Sequence, residues 1–382
     1  MTEIKYCKFC VLPNTRPNIS FNAKNNACSV CNSLKNKKQK INWKSREKQF
    51  RKIVNVTKNK NKIYDCVIPV SGGKDSTWQV LTALKYDLRP LCVTWKTPAR
   101  NKIGEFNLKN LVNLSVNHID FSISPNVEKY FTLKAFKRYA NPLIPMHMAL
   151  HSIPVQIAAK MKIPLVLWGE NSASEYGGNK ESLKGKFMTS AWRKVYGVTQ
   201  GTLAKDWVDK KISIKNLAPY VMPSNRELKQ SGVKELFLGY YFKWDPKKVF
   251  NISKKFGFKP AIKPKTGYYS FADIDDEFLI TIHHWLKWYK YGFTRLWDNL
   301  SIEIRNGRLS RKEAIKIIKK KGNEFPVQEI KKFCDYLEIS VKKFLVITER
   351  FRNKKIWFKD KNGIWKIRNF LINKWKWKKN KI

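Results

Sequence analysis

Residues 71–76, with the sequence SGGKDS, combine residue types that could bind and stabilise a phosphate group. The run follows an apolar stretch typical of a buried strand and precedes a stretch with helical spacing. Two glycines let backbone N–H groups turn towards an anion, and a helix N-terminus adds further N–H groups and the positive end of a dipole. Lys74 adds an ammonium group, and Ser71 and Ser76 add hydroxyls. The sequence therefore predicts a phosphate-binding loop between a strand and a helix.

This loop differs from that of the NTPases that transfer a γ-phosphate. Those proteins require the spacing G-x-x-x-x-G-K-[ST], whereas Lys74 follows the glycine pair directly and is itself followed by Asp75. Asp75 has two open interpretations. It holds Mg²⁺, or it caps the helix, because Asp is a preferred residue at helix N-termini.

A second set of chemically distinctive residues consists of four cysteines near the N-terminus. Cys7, Cys10, Cys28 and Cys31 have the spacing C-x2-C-x17-C-x2-C, which is typical of a zinc site. Four thiolates complete a tetrahedron and leave no position open for catalysis, so we predict a structural zinc ion. Two disulfides are the alternative, which a cytoplasmic location would disfavour.

The sequence predicts a cytoplasmic protein. No apolar run approaches the roughly 18 residues that are needed to span a bilayer, and the N-terminus has no apolar signal-peptide core. A formal net charge of +48 favours anionic partners, which include nucleic acid, nucleotides, acidic proteins and acidic membrane surfaces. The alternative is that Lys, scattered along the chain with many Asn, reflects an AT-rich genome. The basic, tryptophan-rich tail (354–382) is expected to pack onto its own domain, with contact to a membrane surface or to nucleic acid as the alternative.

Alternating apolar and helical patterns position these residues. They predict a connecting helix around Trp43, Phe50 and Val54, and then an α/β fold with a doubly wound parallel sheet. The predicted strands are 64–70, 90–95, 118–123, 163–170 and 233–242. Ligands of such sheets bind beyond the carboxyl ends of the strands, so we expect 71–76 and 169–178 to face one crevice. The predicted domains are a four-cysteine zinc-binding module (1–40), the sheet domain (41–245) and a mainly helical C-terminal region (246–382).

The SGGKDS loop resembles the pyrophosphate (PP) loop of the ATP pyrophosphatase superfamily, whose fold is adenine-nucleotide α-hydrolase-like. Nearly the whole chain resembles the N-acetyl sugar amidotransferases of bacterial lipopolysaccharide (O-antigen) and flagellin-glycan biosynthesis. Besides the loop, the stretches that carry this resemblance are YCKFCVLPNTRPNISF, KIGEFNLKNL, WGENSASEYGG, LGYYFKWD, DIDDEFLITIHHWLKWYKYGFTR and LSIEIRNGRLSRKEA.

The resemblance implies an ATP-dependent ligase that converts the acetamido group of a nucleotide-linked sugar into an acetamidino group. ATP with Mg²⁺ would adenylate the amide oxygen, and ammonia would displace AMP. The chain shows no glutaminase signature, so the ammonia is expected from a separate glutaminase similar to that of imidazole glycerol phosphate synthase, with or without that enzyme's cyclase-like subunit.

The resemblance also implies roles for individual residues. The expected catalytic residues are Lys74, Asp75, Glu170 and Glu175. The expected ATP-binding residues are Ser71, Gly72, Gly73, Lys74, Asp75 and Ser76. The candidate substrate residues are Asn171, Tyr176, Gly177, His147, His283 and His284. The acids of DIDDEF (Asp273, Asp275, Asp276 and Glu277) look like a metal cluster, but we expect them to cap a helix on which the two adjacent histidines face different directions.

Two other functions remain open at this point. A PP-loop tRNA-modifying enzyme of the thiolation type would share the loop, the zinc site and the basic charge, but it would generally carry further reactive cysteines. Cys66 and Cys92 lie in predicted strands and are expected to be buried apolar residues instead. A non-enzymatic zinc-ribbon adaptor is the third candidate, and it predicts no ATP turnover.

Overall fold

The computed structural model describes residues 3–36, 41–58, 63–178, 185–322 and 324–377. Its centre is a five-stranded, all-parallel sheet with the strand order β3-β2-β1-β4-β5. The strands are β1 (Cys66–Pro69), β2 (Pro90–Trp95), β3 (Asn117–Phe121), β4 (Leu165–Trp168) and β5 (Lys234–Phe237). The strand order reverses between β1 and β4, which is where such sheets bind ligands. The predicted fold class is confirmed.

Strands β1, β2 and β4 are almost wholly buried because helices cover the sheet. The helices up to the last strand are α1 (Ser29–Asn36), α2 (Trp43–Thr57), α3 (Lys74–Lys85), α4 (Lys102–Val112), α5 (Pro125–Tyr139), α6 (Ile144–Lys160), α7 (Ser172–Tyr176), α8 (Ser190–Tyr196) and α9 (Asn225–Ser231). Helix α2 buries Phe50 and Val54, as its sequence spacing predicts.

The prediction of a strand over 233–242 is wrong in its second half. After Phe237 the chain enters a single helical turn, α10 (Leu238–Tyr241). Gly239 lies against the loop after β4, where a Cβ on it would stand 3.1 Å from the Cα of Glu170. The close approach of these two backbones, which strand periodicity does not reveal, accompanies the change of direction.

The region that follows is mainly helical. It contains α11 (Pro246–Lys255), α12 (Leu279–Tyr291), α13 (Arg295–Arg305), α14 (Arg311–Lys321), α15 (Val327–Leu337), α16 (Val341–Arg350) and a hairpin of β6 (Trp357–Lys359) with β7 (Trp365–Ile367). Helix α11 packs on α3, and α15 packs on α5. One large buried cluster joins the four-cysteine segment, one side of the sheet and these C-terminal helices.

The tryptophans of the tail pack on the protein itself, as predicted. Trp375 and Trp377 lie with their ring centroids 5.1 and 5.2 Å from that of Phe370, and both are also near Trp288. Residues 378–382 of the predicted tail lie outside the described residues. Within the described ranges, the search for a membrane-spanning helix, long and apolar enough to cross a bilayer, found no candidate.

Candidate functional site

The phosphate loop, residues 71–76, leaves the carboxyl end of β1 and runs into the first turn of α3, as predicted. Its hydroxyls hold the loop's own backbone: the N–H of Gly73 donates to Ser71 Oγ at 3.3 Å, and the N–H of Ser71 donates to Ser76 Oγ at 3.2 Å. Gly73 is the N-cap of α3, and its cap position receives no side-chain hydrogen bond. The loop therefore presents the N-terminal end of a 12-residue helix to the cavity beyond the sheet.

Gly72 is required by its surroundings as well as by its backbone angle. It has φ +82°, and a Cβ at this position would lie 2.5 Å from the backbone nitrogen of Leu108 in α4. One turn earlier on the same face of α4, a Cβ on Gly104 would lie 2.7 Å from the Cα of Asp275. One face of helix α4 thus packs against both the phosphate loop and Asp275, which gives KIGEFNLKNL a packing role.

Lys74 and Asp75 form the charged part of the loop. Lys74 is 5 % exposed, its Nζ lies 2.5 Å from Asp75 Oδ2, and its ammonium faces the rings of Trp244 and Phe271 at 5.4 and 5.7 Å. The indole N–H of Trp244 donates to Asp75 Oδ1 at 2.9 Å. The capping interpretation of Asp75 is wrong, because Trp244 and Lys74 hold its carboxylate towards the cavity rather than over the N–H groups of α3.

A cavity of about 480 Å³ lies beyond the carboxyl ends of the strands. The phosphate loop lines one side of it, and the segment after β4, including Gly169, Glu170 and Tyr176, lines another. The expectation that 71–76 and 169–178 face one crevice is therefore confirmed. Its polar half carries the loop, Glu170, residues 273–276 and Arg295, while the other half is more aromatic, formed by Met146, His147, Leu150, His151, Trp168, Met188, Trp192 and Tyr196.

Glu170 is the acid that the phosphate loop affects most. Burial, reinforced by the nearby negative charge of Asp75 and opposed by Lys74, raises the pKa of Glu170 to about 7. Burial is the main cause, so the ionised form of Glu170 is disfavoured chiefly by the loss of water around it. A bound cation near Glu170 and Asp75 would favour that ionised form.

Tyr176 and Arg295 close the polar half of the cavity. The Arg295 guanidinium lies over the Tyr176 ring with its central carbon 4.9 Å from the ring centroid, and one N–H donates to the phenol oxygen at 3.4 Å. Arg295 also lies 3.7 Å from Asp273 Oδ2. Burial raises the pKa of Tyr176 well above its usual range, so this hydroxyl remains protonated.

Three other predicted residues of the segment after β4, Asn171, Glu175 and Gly177, have structural contacts. Asn171 is 4 % exposed, and its Oδ1 accepts from the N–H of Ala173 and from the indole of Trp192. The carbonyl oxygen of Glu175 accepts a hydrogen bond from Arg305 at 2.5 Å. Gly177 has φ +122° and lies against Ile19 and Arg16 of the N-terminal segment. Glu170 and Tyr176 therefore line the cavity, whereas these three residues lie outside its described lining.

The predicted histidines also divide into one that lines the cavity and two that lie outside its described lining. His147 lines the cavity together with His151, which the sequence analysis did not single out, and burial lowers the pKa of His147 to about 4. His283 bonds to Asn141 at 2.9 Å, whereas His284 lies 3.5 Å from Asp273. The two adjacent histidines face different partners, as predicted, and both lie outside the described lining of this cavity.

The acids of DIDDEF have divided roles. Asp276 accepts from the N–H of Ile280 at 3.0 Å near the start of α12, in agreement with the predicted capping. Asp273 and Asp275 instead line the cavity, and burial raises the pKa of Asp275 even though Ser71 donates to it. The expectation that these acids serve only to begin a helix is wrong for these two residues. Sequence reasoning assigned no role to Arg295 or Asn299, which reach the site from α13, although one of the stretches that carry the family resemblance ends at Arg295.

A buried ion network supports the wall around Tyr269, which lines the cavity. Tyr269 donates to Glu303 at 2.5 Å, and Arg308 binds both Glu303 and Asp245, the N-cap of α11. Glu303 is fully buried and also lies 2.9 Å from Lys247. These contacts tie α13 to α11, which packs on the helix of the phosphate loop.

The four predicted cysteine ligands come together. Cys7, Cys10, Cys28 and Cys31 are buried, and their sulfurs lie within 4.8 Å of one another. Cys10 and Cys28 have their sulfurs 3.8 Å apart, which matches the separation of about 3.8 Å expected for Zn–S bonds of about 2.3 Å in a tetrahedron. The N–H groups of Cys10 and Cys28 donate to Cys7 Sγ. The cluster is suited to a metal ion such as zinc.

The four-cysteine segment also reaches the cavity wall. Arg16 Nε donates to Asp298 at 3.0 Å, and Asp298, only 1 % exposed, also binds Lys287 at 3.2 Å. These cations hold the pKa of Asp298 well below its usual range despite its burial. Asp298 belongs to the helix that carries Arg295, so the segment supports both this helix and the loop at Gly177.

The other three cysteines are structural. Cys66, Cys92 and Cys334 are buried, and burial raises the pKa of each thiol, to about 12 for Cys92 and about 11 for Cys334. Thiols of this kind are poor nucleophiles, since the thiolate is the reactive form. The expectation that Cys66 and Cys92 are buried apolar residues is confirmed.

Comparison with known protein families found one match. Residues 253–371 match the family described as "LPS biosynthesis protein WbpG-like, C-terminal domain". No curated protein matches the chain. This region is similar to that family, in agreement with the resemblance predicted from the sequence.

Solved structures with partial similarity were also found. An NH3-dependent NAD synthetase from Campylobacter jejuni is 17 % identical, with a TM-score of 0.29, and the match covers 59 % of this chain and 100 % of that one. A U34-tRNA thiolase, NcsA, from Methanococcus maripaludis with its [4Fe-4S] cluster is 13 % identical, with a TM-score of 0.32 and coverage of 81 % and 87 %. Similarity at TM-scores this low carries no functional argument.

Proposed function

We propose that this protein, whose residues 253–371 match the WbpG-like family of LPS biosynthesis proteins, is an ATP-dependent amidotransferase in surface-polysaccharide biosynthesis. It converts the acetamido group of a nucleotide-linked N-acetyl sugar into an acetamidino group and forms AMP and pyrophosphate. The observation that carries the proposal is the phosphate loop, which faces one cavity together with Glu170, Tyr176 and Arg295.

The chemistry needs an activated amide, because an amide oxygen is a poor leaving group. In the proposed reaction this oxygen attacks the α-phosphorus of ATP, and the bond from that phosphorus to the β-bridging oxygen breaks to release pyrophosphate. Ammonia then adds to the imidate carbon, and the C–O bond to AMP breaks. The nitrogen sheds its protons to pyrophosphate and solvent, and the sugar product is one mass unit lighter than the substrate.

The phosphate loop is suited to the charge that develops on pyrophosphate. The backbone N–H groups at the start of α3 and the dipole of that helix stabilise anionic oxygens. The Lys74 ammonium is held in place by Asp75 and by the aromatic rings beside it, so little reorganisation is needed when charge builds up. Lys74 is therefore the residue to which we assign the largest catalytic contribution.

Asp75 and Glu170 would hold Mg²⁺, because both offer carboxylate oxygens, the ligands that Mg²⁺ prefers. When bound, the ion would neutralise phosphate charge. A cation bound beside Glu170 would favour its ionised form, which burial and the charge of Asp75 disfavour in its absence. In the cysteine cluster we assign the metal as zinc with a structural role, because four thiolates leave no open position.

The aromatic half of the cavity is the proposed place of the sugar. Trp168 and Trp192 offer flat apolar faces, and His147 and His151, both neutral at physiological pH because burial lowers their pKa, offer hydrogen bonds without charge. The sugar's nucleotide carrier and the sugar itself would be identified by the experiment below.

The experiment is product analysis of ATP turnover. Purified protein is incubated with Mg²⁺, ammonium chloride and a panel of UDP- and CMP-linked N-acetyl sugars, with bulk tRNA as a parallel substrate. We expect AMP and pyrophosphate with one sugar, together with a product one mass unit lighter. AMP formed only with tRNA would support a tRNA-modifying enzyme instead, and ADP or no turnover would contradict the proposal.

A further inference from the structure

Four apolar side chains lie exposed where α4 meets the end of α11. They are Phe106 on α4, Ile252 on α11, Phe256 directly after it and Ile262 in the loop beyond, and they are 41 %, 39 %, 47 % and 102 % exposed. Six lysines accompany them: Lys102, Lys109, Lys254, Lys255, Lys259 and Lys263. We call these ten residues the basic-apolar surface. All ten lie outside the described lining of the main cavity, which contains the phosphate loop.

Hydrogen bonds join the two halves of this surface. The side chain of Asn107 accepts from the N–H of Lys259 at 2.8 Å and donates to its carbonyl oxygen at 2.9 Å. Asn110, one turn further along α4, donates to the carbonyl oxygen of Phe256 at 2.7 Å. The Lys259 ammonium lies 4.0 Å from the centroid of the Phe106 ring. The end of α11 and the start of the loop after it are therefore fixed against α4.

Ile262 is fully exposed although its loop is held in place. Ala261, beside it, donates its N–H to the carbonyl oxygen of Ser270 at 2.9 Å and packs, like Ile103 of α4, against a small buried cluster. A proline two residues before Ile262 and another two residues after it restrict the backbone of the loop. Ile262 itself contributes nothing to the core.

The charge of this surface is almost entirely positive. The ranges 102–110 and 251–263 contain six lysines, no arginine and a single acid, Glu105. All six lysines are exposed, and none of them pairs with an acid among the described residues. An anionic partner would therefore meet cations that the protein leaves uncompensated.

Exposed apolar side chains among lysines suit a bilayer that contains anionic lipid. Acidic headgroups attract the lysines, and each Lys close to such a surface strengthens binding by roughly fivefold. Phenylalanine and isoleucine side chains enter the boundary between the headgroups and the acyl chains. The two kinds of side chain in this surface match the two layers of such a bilayer.

A protein or a nucleic acid fits this surface less well. Interfaces between proteins are enriched in arginine and depleted of lysine, whereas every cation here is a lysine. Nucleic acid would engage the lysines, but Ile252 and Ile262 offer neither a hydrogen bond nor a ring on which a base could stack. A fluid bilayer accepts a projecting side chain such as Ile262 without needing a complementary shape.

We propose that the basic-apolar surface docks this protein on a bilayer that contains anionic phospholipid, with Phe106, Phe256 and Ile262 entering the interfacial layer. The net charge of +48 attracts the whole protein to such a bilayer, and the exposed apolar side chains decide which surface faces it. The docking does not depend on the reaction proposed above. It also differs from membrane contact by the tail, whose Trp375 and Trp377 pack on the protein itself.

The first test compares two equal losses of charge in the full chain. One variant carries Lys254→Gln, Lys255→Gln and Lys259→Gln, and its matched control carries Lys331→Gln, Lys342→Gln and Lys343→Gln, which are exposed lysines of α15 and α16. Co-sedimentation with vesicles of equal parts phosphatidylcholine and phosphatidylglycerol measures binding. We expect the first variant to bind roughly 50- to 100-fold more weakly than the wild type, and the control to bind no more than about threefold more weakly.

The second test asks whether Ile262 enters the bilayer. Ile262→Cys is labelled with a dye whose emission shifts to the blue in apolar surroundings, and Val346→Cys, at a 57 % exposed position on α16, carries the same dye as the control. The native cysteines are buried, which directs the label to the new thiol. We expect a blue shift for the Ile262→Cys protein with the mixed vesicles, and none with phosphatidylcholine alone or for the Val346→Cys protein.

Three results would overturn the inference. Equal weakening by the two sets of lysine substitutions would show that net charge alone holds the protein on the vesicles. An unshifted dye in an Ile262→Cys protein that is bound to the vesicles would show that another surface faces the bilayer. A shift produced by bulk tRNA and not by the vesicles would assign the surface to nucleic acid instead.

Discussion

The main cavity has two charged walls that are built in different ways. The phosphate-loop wall is one contiguous segment, 71–76, whose shape is set by glycine, by hydroxyl-to-backbone hydrogen bonds and by the start of a helix. The second wall consists of an ion pair between distant parts of the chain, Asp273 with Arg295, and is supported behind the cavity by the pair of Arg16 with Asp298. The first wall can bind an anion through its own backbone, whereas the second depends on packing by several helices. Substitutions in the two walls should therefore fail in different ways.

The largest effect is expected at Lys74. Lys74→Ala should lower kcat by roughly 10²- to 10³-fold, as for the loss of one preorganised charge-stabilising donor. AMP formation measures this rate. Lys248→Ala, an exposed lysine on α11, is the control and should retain full activity. Equal rates for wild type and Lys74→Ala would show that the loop wall does not stabilise the leaving group.

The second-largest effect tests how tightly the phosphate loop packs against α4. Gly72→Ala should lower the free energy of unfolding by roughly 3 kcal/mol, because a Cβ there strains a φ of +82° and collides with the backbone at Leu108. Gly307→Ala, at φ +70° with no atom within 4 Å of its Cβ, should lose only about 1 kcal/mol. Urea unfolding measures both. A similar loss in the two variants would show that α4 moves aside at little cost.

The wall formed by ion pairs should lose less stability when any one of its residues is replaced. Arg16→Ala should lower the free energy of unfolding by roughly 2 kcal/mol, less than the 3–5 kcal/mol of a fully broken buried pair, because Lys287 still binds Asp298. The matched control is Arg51→Ala, which breaks an exposed pair with Glu47 and should change stability by less than about 0.5 kcal/mol. Equal losses would show that the buried pair adds nothing specific.

The smallest effect concerns two tryptophans that line the cavity and donate to buried acids. Trp95 donates to Glu128, whose pKa burial raises to about 8, and Trp168 donates to Glu235, which also binds Arg193 at 2.7 Å. Because the folded pKa of Glu128 lies above its ordinary value of about 4.5, stability should fall as the pH rises from about 4.5 to about 8, where the unfolded chain has released this proton and the folded protein still holds it.

Glu128→Gln should therefore be more stable than the wild type at pH 8.5 and similar to it near pH 4.5. Glu235→Gln should be less stable than the wild type at pH 8.5, because it leaves Arg193 without its carboxylate. Urea unfolding at the two pH values measures these differences. A Glu128→Gln variant that loses stability at pH 8.5 would contradict the assignment of an unpaired buried acid.

The same contrast explains what the sequence could predict. The phosphate loop, the parallel strands and the cysteine cluster are encoded by local spacing, and all three were found where the spacing placed them. Arg295 and Asn299 reach the site from α13, more than 200 residues after the loop, and the local spacing around them does not indicate that they line the cavity. Periodicity also cannot show that Gly239 lies against Glu170, so the predicted end of the last strand is wrong.

The residues whose roles the sequence leaves ambiguous share a cause. Asp75 and Asn171 are polar residues near the start of a helix, so either capping or ligand binding fits their sequence context. The partners decide: Trp244, which is distant in sequence, turns Asp75 towards the cavity, whereas Trp192 and the N–H of Ala173 hold Asn171 within the protein. Only the folded chain supplies these partners.

The most direct measurement of the central claim is transfer of oxygen from the sugar to AMP. A nucleotide-linked N-acetyl sugar with ¹⁸O in its acetyl carbonyl is incubated with the protein, ATP, Mg²⁺ and ammonium chloride, and the AMP is analysed by mass spectrometry. If the amide oxygen attacks the α-phosphorus, the AMP carries the ¹⁸O and the sugar product loses it. AMP without ¹⁸O, formed alongside the amidine, would contradict adenylation of the amide as the reaction of this site.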